Sequence, residues 1–194
     1  SLNSEIDSDK RLVERVKRGD KRAFDVLVLK YQHRIANLIG RYVRDQDEVL
    51  DVTQEVFVKA YRAMASFRGD AQFYTWLYRI AINTAKNFLV AKSRRPPDTD
   101  IDVDDGEFSD HLVVISGEGN PEDLLSGEDL KEVLQKALED LPEELRTALM
   151  LREFDGLSYG EIAQVMECPV GTVRSRIFRG RESIEKRIEE MNQD

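Results

Sequence analysis

Four arginines lie within eight residues near the end of the chain: Arg174, Arg176, Arg179 and Arg181. A guanidinium can donate two parallel hydrogen bonds to a guanine edge, or it can hold a phosphate. At about 100° per residue in a helix, Arg174 and Arg179 lie on or beside one side of this segment, and Arg176 and Arg181 lie on its flanks. We therefore predict base contacts for the first pair and phosphate contacts for the second.

The same side of this segment carries further groups that suit the major groove of DNA. A serine hydroxyl can bond to either kind of base edge, and an aromatic ring can contact a thymine methyl group. The alternative is a solvated basic helix in an ordinary bundle, which an exposed Phe178 and a small residue at the helix start fit poorly. These further groups are Gly171, Thr172, Ser175 and Phe178.

The preceding residues predict the rest of a helix-turn-helix. Ser158 and Glu161 have the spacing of a capping box, which begins a short helix. Residues 167–169 interrupt that helix, and Pro169 is well placed to start the next one. We predict that this second helix carries the four arginines. Its other side must pack on the first helix through Val173, Ile177 and Ile184.

A second group with nucleic-acid chemistry lies in residues 67–86. Its aromatic residues are interleaved with cations such as Arg68 and Lys86, and single-stranded bases need rings to stack on and charges for the backbone. The amides of Asn83 and Asn87 can read base edges. An aromatic-rich core helix is the other interpretation, and the residue chemistry leaves both open. The rings belong to Phe67, Phe73, Tyr74, Trp76 and Tyr78.

An acidic stripe forms a third group. Asp47, Asp51 and Glu55 are spaced four residues apart, so they share one face of a helix, and Gln54 lies beside them. No His or Cys nearby supports a metal, and nothing in the pattern buries the carboxylates. A solvated face and a docking surface for a basic partner both remain open.

Composition excludes several classes of function. The chain has 194 residues and contains no run of 18 apolar residues, so no segment is long and apolar enough to span a membrane. Cys168 is the only cysteine, which suits a reducing cytosol. His33 and His111 lie far apart with no ligand cluster around them. We therefore expect no metal, no cofactor and no catalytic residue.

Charge divides the chain into three parts. The net charge is +7 over residues 1–95, −12 over 96–130 and −4 over 131–194. The acidic part contains no Lys or Arg, has many Gly and Pro residues, and shows almost no core-forming pattern, which favours an extended or disordered segment. The overall charge of −9 argues against tight, nonspecific DNA binding by the free protein.

Apolar spacing predicts helices and no strand on either side of that segment. We expect a short helix closed by Gly19, a second capped by Asp20, a third from about Asp47, and a fourth from Phe73 to about residue 91. Three to four short helices should follow from Glu128. The predicted fold is all-α, with small helical domains at 1–95 and 128–194 joined by a flexible acidic linker at 96–127.

Three long motifs of the sequence resemble one protein family. DVTQEVFVKAYR, SFRGDAQFYTWLYRIAINTAKN and LPEELRTALMLREFDGLSYGEIAQVMECPVGTVRSRIFRGRE are similar to the extracytoplasmic-function sigma factors, most of all the sigma-E and AlgU-like envelope-stress group. The resemblance covers about residues 10–95 and 128–188. It implies that the first domain is sigma region 2 and that the second is sigma region 4.

The resemblance also implies roles for individual residues. Asp51, Gln54 and Glu55 would dock on the clamp helices of RNA polymerase. Residues 67–74, including Phe67, Arg68, Phe73 and Tyr74, would capture a flipped −10 base, while Asn83 and Lys86 hold the melted strand. The −35 element would be read as duplex by Gly171, Thr172, Arg174, Ser175, Arg176, Phe178, Arg179 and Arg181.

The implied function is promoter recognition by a bacterial, cytoplasmic transcription initiation factor that is not an enzyme. The implied partners are the clamp helices and flap of core RNA polymerase, promoter DNA, and a membrane-anchored anti-sigma factor, with no homo-oligomer. The family often has Ala where this chain has Gly180, so we expect a looser end of the reading helix. A stand-alone helix-turn-helix regulator is the main rival, but it leaves the aromatic group and the acidic stripe without a role.

Overall fold

The computed structural model describes residues 2–95 and 127–193, and all regular elements in these two ranges are helices. The chain divides into two compact units, and the division falls between the two ranges. The all-helical prediction is thereby confirmed. The predicted acidic linker lies outside the described residues, except for Gly127, where a helix begins.

The first unit contains four helices and one short turn. They are α1 (Leu2–Lys17), α2 (Lys21–Gly40), α3 (Gln46–Ala63) and α4 (Phe73–Ser93), with a 3₁₀ turn at Met64–Ser66. Helices α2, α3 and α4 pack on one another, and α1 lies against α2. The centre of this core is formed by Leu27, Ile35, Leu38, Ile39, Val52, Val56 and Leu77, all fully buried.

Helix α1 is longer than the sequence predicts. Apolar residues around Val13 indicated a short helix, whereas α1 has 16 residues. A buried carboxylate anchors its middle: Lys30 Nζ donates to Asp9 Oδ1 at 2.6 Å, and the Tyr31 hydroxyl donates to the other oxygen of Asp9. Apolar periodicity cannot reveal an anchor of this kind, because the residue that faces inward is charged.

The boundary between α1 and α2 matches the prediction. Gly19 has a φ of +98°, in the left-handed region that glycine tolerates best. Asp20 is the N-cap of α2, and its Oδ1 accepts hydrogen bonds from the backbone N of Arg22 at 3.0 Å and of Ala23 at 3.4 Å. The Arg15 guanidinium donates to Asp20 Oδ2 at 2.7 Å and lowers the pKa of that carboxyl.

One aromatic residue lies at the edge of the first core. Tyr61 of α3 is 41% exposed, although its ring packs edge-on against Phe24 at 5.0 Å. The buried face of α3 passes through Val56 and Ala60, so Tyr61 falls at the rim of that face. Its ring covers the edge of the core while its hydroxyl end reaches solvent.

The second unit consists of α5 (Gly127–Asp140), α6 (Glu143–Glu153), α7 (Tyr159–Met166) and α8 (Val170–Asn192). Helix α8 packs on each of the other three. It has 23 residues and continues well past Gly180, so the expected loosening is absent. Gly180 is buried, and a Cβ there would lie 3.5 Å from Leu149 Cδ2 on α6. Packing of α8 on α6 therefore offsets the low helix propensity of Gly180.

Helices α7 and α8 form the predicted helix-turn-helix. Both hydrogen bonds of the capping box are present: Glu161 N donates to Ser158 Oγ at 3.1 Å, and Ser158 N donates to Glu161 Oε1 at 3.0 Å. Glu167 ends α7 with a φ of +55°, and Pro169 is the N-cap of α8. The turn thus occupies residues 167–169, as the sequence predicts.

Candidate nucleic-acid interface

The outer face of α8 is open to solvent. Val173 and Ile177 are buried on its inner side, so the opposite side must face outward. Phe178 is 68% exposed, which is unusual for a phenylalanine in a small helical unit. Arg174 and Arg179 make no ion pair with any residue of the two described ranges. The exposed residues of this face are Gly171, Arg174, Ser175, Phe178 and Arg179.

The flanking arginines of α8 are held by carboxylates of α6. Arg176 Nη2 lies 3.2 Å from Glu144 Oε2, and Arg181 Nε donates to Glu153 Oε1 at 3.1 Å. The hydrogen bond to Glu153 also raises the pKa of Arg181. Sequence reasoning missed both acids because each precedes its arginine partner by about thirty residues. The predicted phosphate contacts would therefore compete with ion pairs inside the unit.

Two residues near the turn are only partly accessible. Thr172 is half-buried at the edge of the exposed face. Cys168 is also half-buried, and Arg176 Nη1 donates to its sulfur at 3.6 Å. The cysteine thus belongs to the packing of the turn.

Three of the aromatic rings in residues 67–78 form a cluster in the first unit. The rings of Phe67 and Trp76 lie 4.9 Å apart, those of Phe73 and Trp76 5.8 Å, and those of Phe67 and Phe73 6.2 Å. Phe67 and Phe73 are buried, whereas Tyr74 and Trp76 are half-buried. Stacking of a base on Phe67 or Phe73 would require these rings to become accessible, and that prediction stays open.

A pocket of about 260 Å³ opens beside this cluster. One face of α1 forms one wall, and residues 67–74 form the other. Its lining is both apolar and charged: it includes Val13 and Phe73, and its three cations outnumber its two carboxylates. The charged residues are Lys10, Lys17, Arg68, Asp9 and Glu14. Such a lining suits a ligand that has an apolar face and an anionic group. The contribution of α1 has no signal in the sequence motif.

The other polar residues predicted to hold a strand lie on α4. Asn83 and Asn87 are exposed and one turn apart, as predicted, and Lys86 is half-buried between them. In the segment before α4, Arg68 is exposed. Their roles in binding remain predictions.

The acidic stripe lies on the solvent face of α3. Asp47, Asp51, Gln54 and Glu55 are all exposed, and Lys59 Nζ lies 3.3 Å from Glu55 Oε1. Sequence reasoning missed two apolar neighbours: Leu50 is 52% exposed and Val58 is 47% exposed. Leu50, Gln54 and Val58 are spaced four residues apart, so they form one stripe on a helical wheel, away from the buried stripe of α3. A helical wheel drawn from the sequence could therefore have revealed them. An exposed face with both carboxylates and aliphatic side chains is typical of a docking surface.

Within residues 2–95 and 127–193, no group of three His, Cys, Asp or Glu side chains could hold a metal ion. Among the helices of the same ranges, none combines the length and the apolar character that a transmembrane helix needs.

Each of the two units matches a known family model. The family model described as sigma-70 region 2 matches residues 27–95. The family model described as sigma-70 region 4 matches residues 131–184. A stand-alone helix-turn-helix regulator would not contain sigma region 2, so the match to residues 27–95 excludes that alternative.

Curated relatives match almost the whole chain. It is 58% identical over 183 residues to the RNA polymerase sigma-H factor of Pseudomonas aeruginosa, covering 94% of this chain and 95% of the relative. It is 55% identical over 186 residues to the ECF RNA polymerase sigma-E factor of Escherichia coli K12, covering 96% of this chain and 97% of the relative.

Solved structures share the fold. CnrH, solved with the cytosolic domain of CnrY, has a TM-score of 0.67 at 23% identity and covers 94% of this chain and 97% of its own. The sigma factor RpoE of Bartonella quintana, solved with the anti-sigma factor NepR, has a TM-score of 0.59 at 21% identity and covers 86% and 96%. With region 2, region 4 and near-complete relatives in agreement, the chain belongs to the ECF sigma factors of the sigma-70 family, which are not enzymes and direct RNA polymerase to promoters.

Proposed function

We propose that each unit recognises its own part of the promoter, with domain boundaries at 1–95, 96–127 and 128–194. The observation that carries this proposal is the exposed outer face of α8, where Arg174, Phe178 and Arg179 project from a capped helix-turn-helix. This helix would enter the major groove of the −35 element. The same face contains Gly171 and Ser175, which allow close approach and bonding to base edges.

The first unit would then capture one melted strand of the −10 element. Support comes from the pocket of about 260 Å³ next to residues 67–74 and from the cations Arg68 and Lys86 on the same unit. A flipped base needs a pocket with an apolar wall, and its phosphate needs a nearby cation. Asn83 would contact the same strand. Tyr74, which is half-buried at the pocket, is the ring best placed to stack first.

Core polymerase would bind the solvent face of α3. Asp51, Gln54 and Glu55 supply polar contacts, and the exposed Leu50 and Val58 supply the apolar centre that a stable interface requires. We propose the polymerase clamp helices as the partner of this face. The polymerase flap would bind the second unit.

An anti-sigma factor anchored in the membrane is the further partner that we propose, as for other members of the family. The sigma factor RpoE of Bartonella quintana was solved in complex with an anti-sigma factor, NepR. Cytoplasmic location, the absence of a homo-oligomer and a role in envelope stress complete the proposal. Sedimentation of the purified full-length protein with and without the membrane fraction would test the proposed anti-sigma partner. The protein should pellet with the membranes if a membrane-anchored anti-sigma factor binds it. A protein without such a partner would stay in the supernatant.

Reconstituted holoenzyme on a cognate promoter tests which unit recognises which promoter element. Arg174→Ala should weaken binding to duplex that contains only the −35 element. Tyr74→Ala should leave that binding intact and slow strand opening, seen as lower permanganate reactivity of the thymines in the −10 region. If Tyr74→Ala gave wild-type reactivity, the assignment of the −10 site to the first unit would be wrong.

A further inference from the structure

The segment that carries the proposed −10 site is tied to α1 directly at its first end and through Tyr31 of α2 at its other end. The Lys17 ammonium donates to the backbone carbonyl of Phe67, and its Nζ also lies 5.8 Å from the centre of the Phe67 ring. Lys17 is the last residue of α1 and is separated from Phe67 by fifty residues of sequence. The first end of the segment is thus tied by a charge-assisted hydrogen bond.

The other end rests on a residue that α1 orients. The Tyr31 hydroxyl donates to the buried Asp9 carboxylate of α1, and the Tyr31 ring lies 5.7 Å from the ring of Phe73. Lys30 completes the arrangement with its 2.6 Å contact to Asp9. A buried carboxylate with two donors holds its partners firmly, because losing either donor leaves it poorly compensated.

Helix α1 begins before the stretch that matches the region 2 family model, which covers residues 27–95. Residues of α1 nevertheless form one wall of the pocket, including Ile6, Val13 and Lys17. The shape of the pocket therefore depends on how the segment from Phe67 to Phe73 is held against this helix.

We propose that Lys17 is a positioning residue for −10 recognition: it holds the Phe67 end of the segment against α1, so that the pocket is formed before the strand arrives. The inference rests on the proposed −10 site. Preorganisation lowers the ordering cost of capturing a flipped base. Loss of the tie should weaken discrimination at the captured base and leave −35 binding and core binding unchanged.

Trp76 provides a direct measurement of the tie. It is the only tryptophan of the chain, and its ring lies 4.9 Å from that of Phe67. In the full-length protein, Lys17→Met keeps an unbranched side chain, one atom shorter, and removes the cation. We expect greater acrylamide quenching of Trp76 in this variant. Lys21→Met removes the same charge from an exposed position at the start of α2 and should leave the quenching unchanged.

Holoenzyme then tests the consequence for recognition. With fork-junction promoters that carry the correct or a wrong base at the captured position, we expect Lys17→Met to reduce the ratio of the two affinities roughly 3- to 10-fold, the range of one net hydrogen bond. Lys21→Met should keep the wild-type ratio. Lys17→Arg retains a donor and should recover most of the discrimination, which guards against a simple folding defect.

The outcomes separate the two proposals. Wild-type quenching and a wild-type ratio in Lys17→Met would overturn the positioning role, as would equal losses in Lys17→Met and Lys21→Met, because the effect would then be general electrostatics. If wild-type holoenzyme itself showed no preference at any base of the −10 element, the proposed −10 site would fail. The quenching measurement would still decide whether Lys17 holds the segment.

Discussion

Arg181 of α8 and Glu153 of α6 form an ion pair within the second unit, with Arg181 Nε donating to Glu153 Oε1 at 3.1 Å. Both side chains are more than two-fifths exposed, at 46% and 42%. An exposed pair contributes little to stability, about 0–1 kcal/mol. The pair therefore orients Arg181 without locking it, and a DNA phosphate can replace the carboxylate.

Arg181→Ala should accordingly weaken binding to all −35 sequences by the same factor. Loss of one phosphate contact should reduce the slope of log affinity against log salt by about one. Fluorescence anisotropy with cognate and scrambled duplexes over a range of salt concentrations measures both quantities. A change in the ranking of sequences would contradict the phosphate assignment.

Arg179→Ala should behave differently because this side chain projects from the exposed face of α8 with no ion pair in the described parts of the chain. We expect a loss of about 1–3 kcal/mol at a cognate −35 site and a relaxed preference at one base pair. Binding to a panel of single-base variants measures this. Lys186→Ala, an exposed cation further along α8, is the matched control and should keep the preference. An intact preference in Arg179→Ala would refute the wheel assignment.

Reversal of Asp51 and Glu55 to Lys should abolish binding to core polymerase. Both carboxylates are exposed on α3, so the change removes polar contacts and adds repulsion without disturbing the core. Reversal of Glu185 and Glu189, which have the same spacing on exposed α8, is the control. Circular dichroism checks folding. Normal core affinity in the folded Asp51 and Glu55 variant would mean that the stripe is only a solvated face.

Asp20 makes the stability of the first unit depend on pH. Its folded-state pKa is lowered, chiefly by the hydrogen bond from Arg15. The stabilisation is therefore present above the unfolded pKa of about 4 and is lost as pH falls through the folded pKa. Asp20→Asn keeps a capping side chain but removes the charge. Urea unfolding should show wild type more stable than this variant at neutral pH, and the difference should shrink as the pH falls through the lowered pKa of Asp20.

The same urea measurements on Asp25→Asn provide the control, since Asp25 is an exposed carboxylate of α2 that does not cap the helix. A difference between wild type and Asp20→Asn that stayed constant from neutral to acid pH would contradict the role of the carboxylate charge at this cap.

Gly180→Ala should stabilise the second unit by about 0.4–1 kcal/mol. The added methyl group would meet Leu149 Cδ2 at 3.5 Å, which is ordinary van der Waals contact, and alanine favours the helix. Gly156→Ala is the contrasting variant, because its φ of +66° is strained for a residue with a side chain, and it should destabilise. Denaturant unfolding of both variants tests this; destabilisation by Gly180→Ala would show that α6 and α8 cannot accept the methyl group.

The helix-turn-helix was determined by local sequence. A capping box at Ser158 and Glu161, a break at residues 167–169 and a regular inward row at Val173 and Ile177 are all short-range signals, and the structure has each of them. Such signals are readable because hydrogen bonding at helix ends and burial along one face depend on residues only a few positions apart.

Tertiary structure decided the contacts between residues distant in sequence. The ties from Arg181 to Glu153 and from Lys17 to Phe67 join residues 28 and 50 positions apart, and the buried Asp9 of α1 is 22 positions from Tyr31. No periodicity encodes which charged side chain will meet which partner, since that depends on how whole helices cross. Helix packing therefore determines which cations of this sigma factor are already engaged and which face outward.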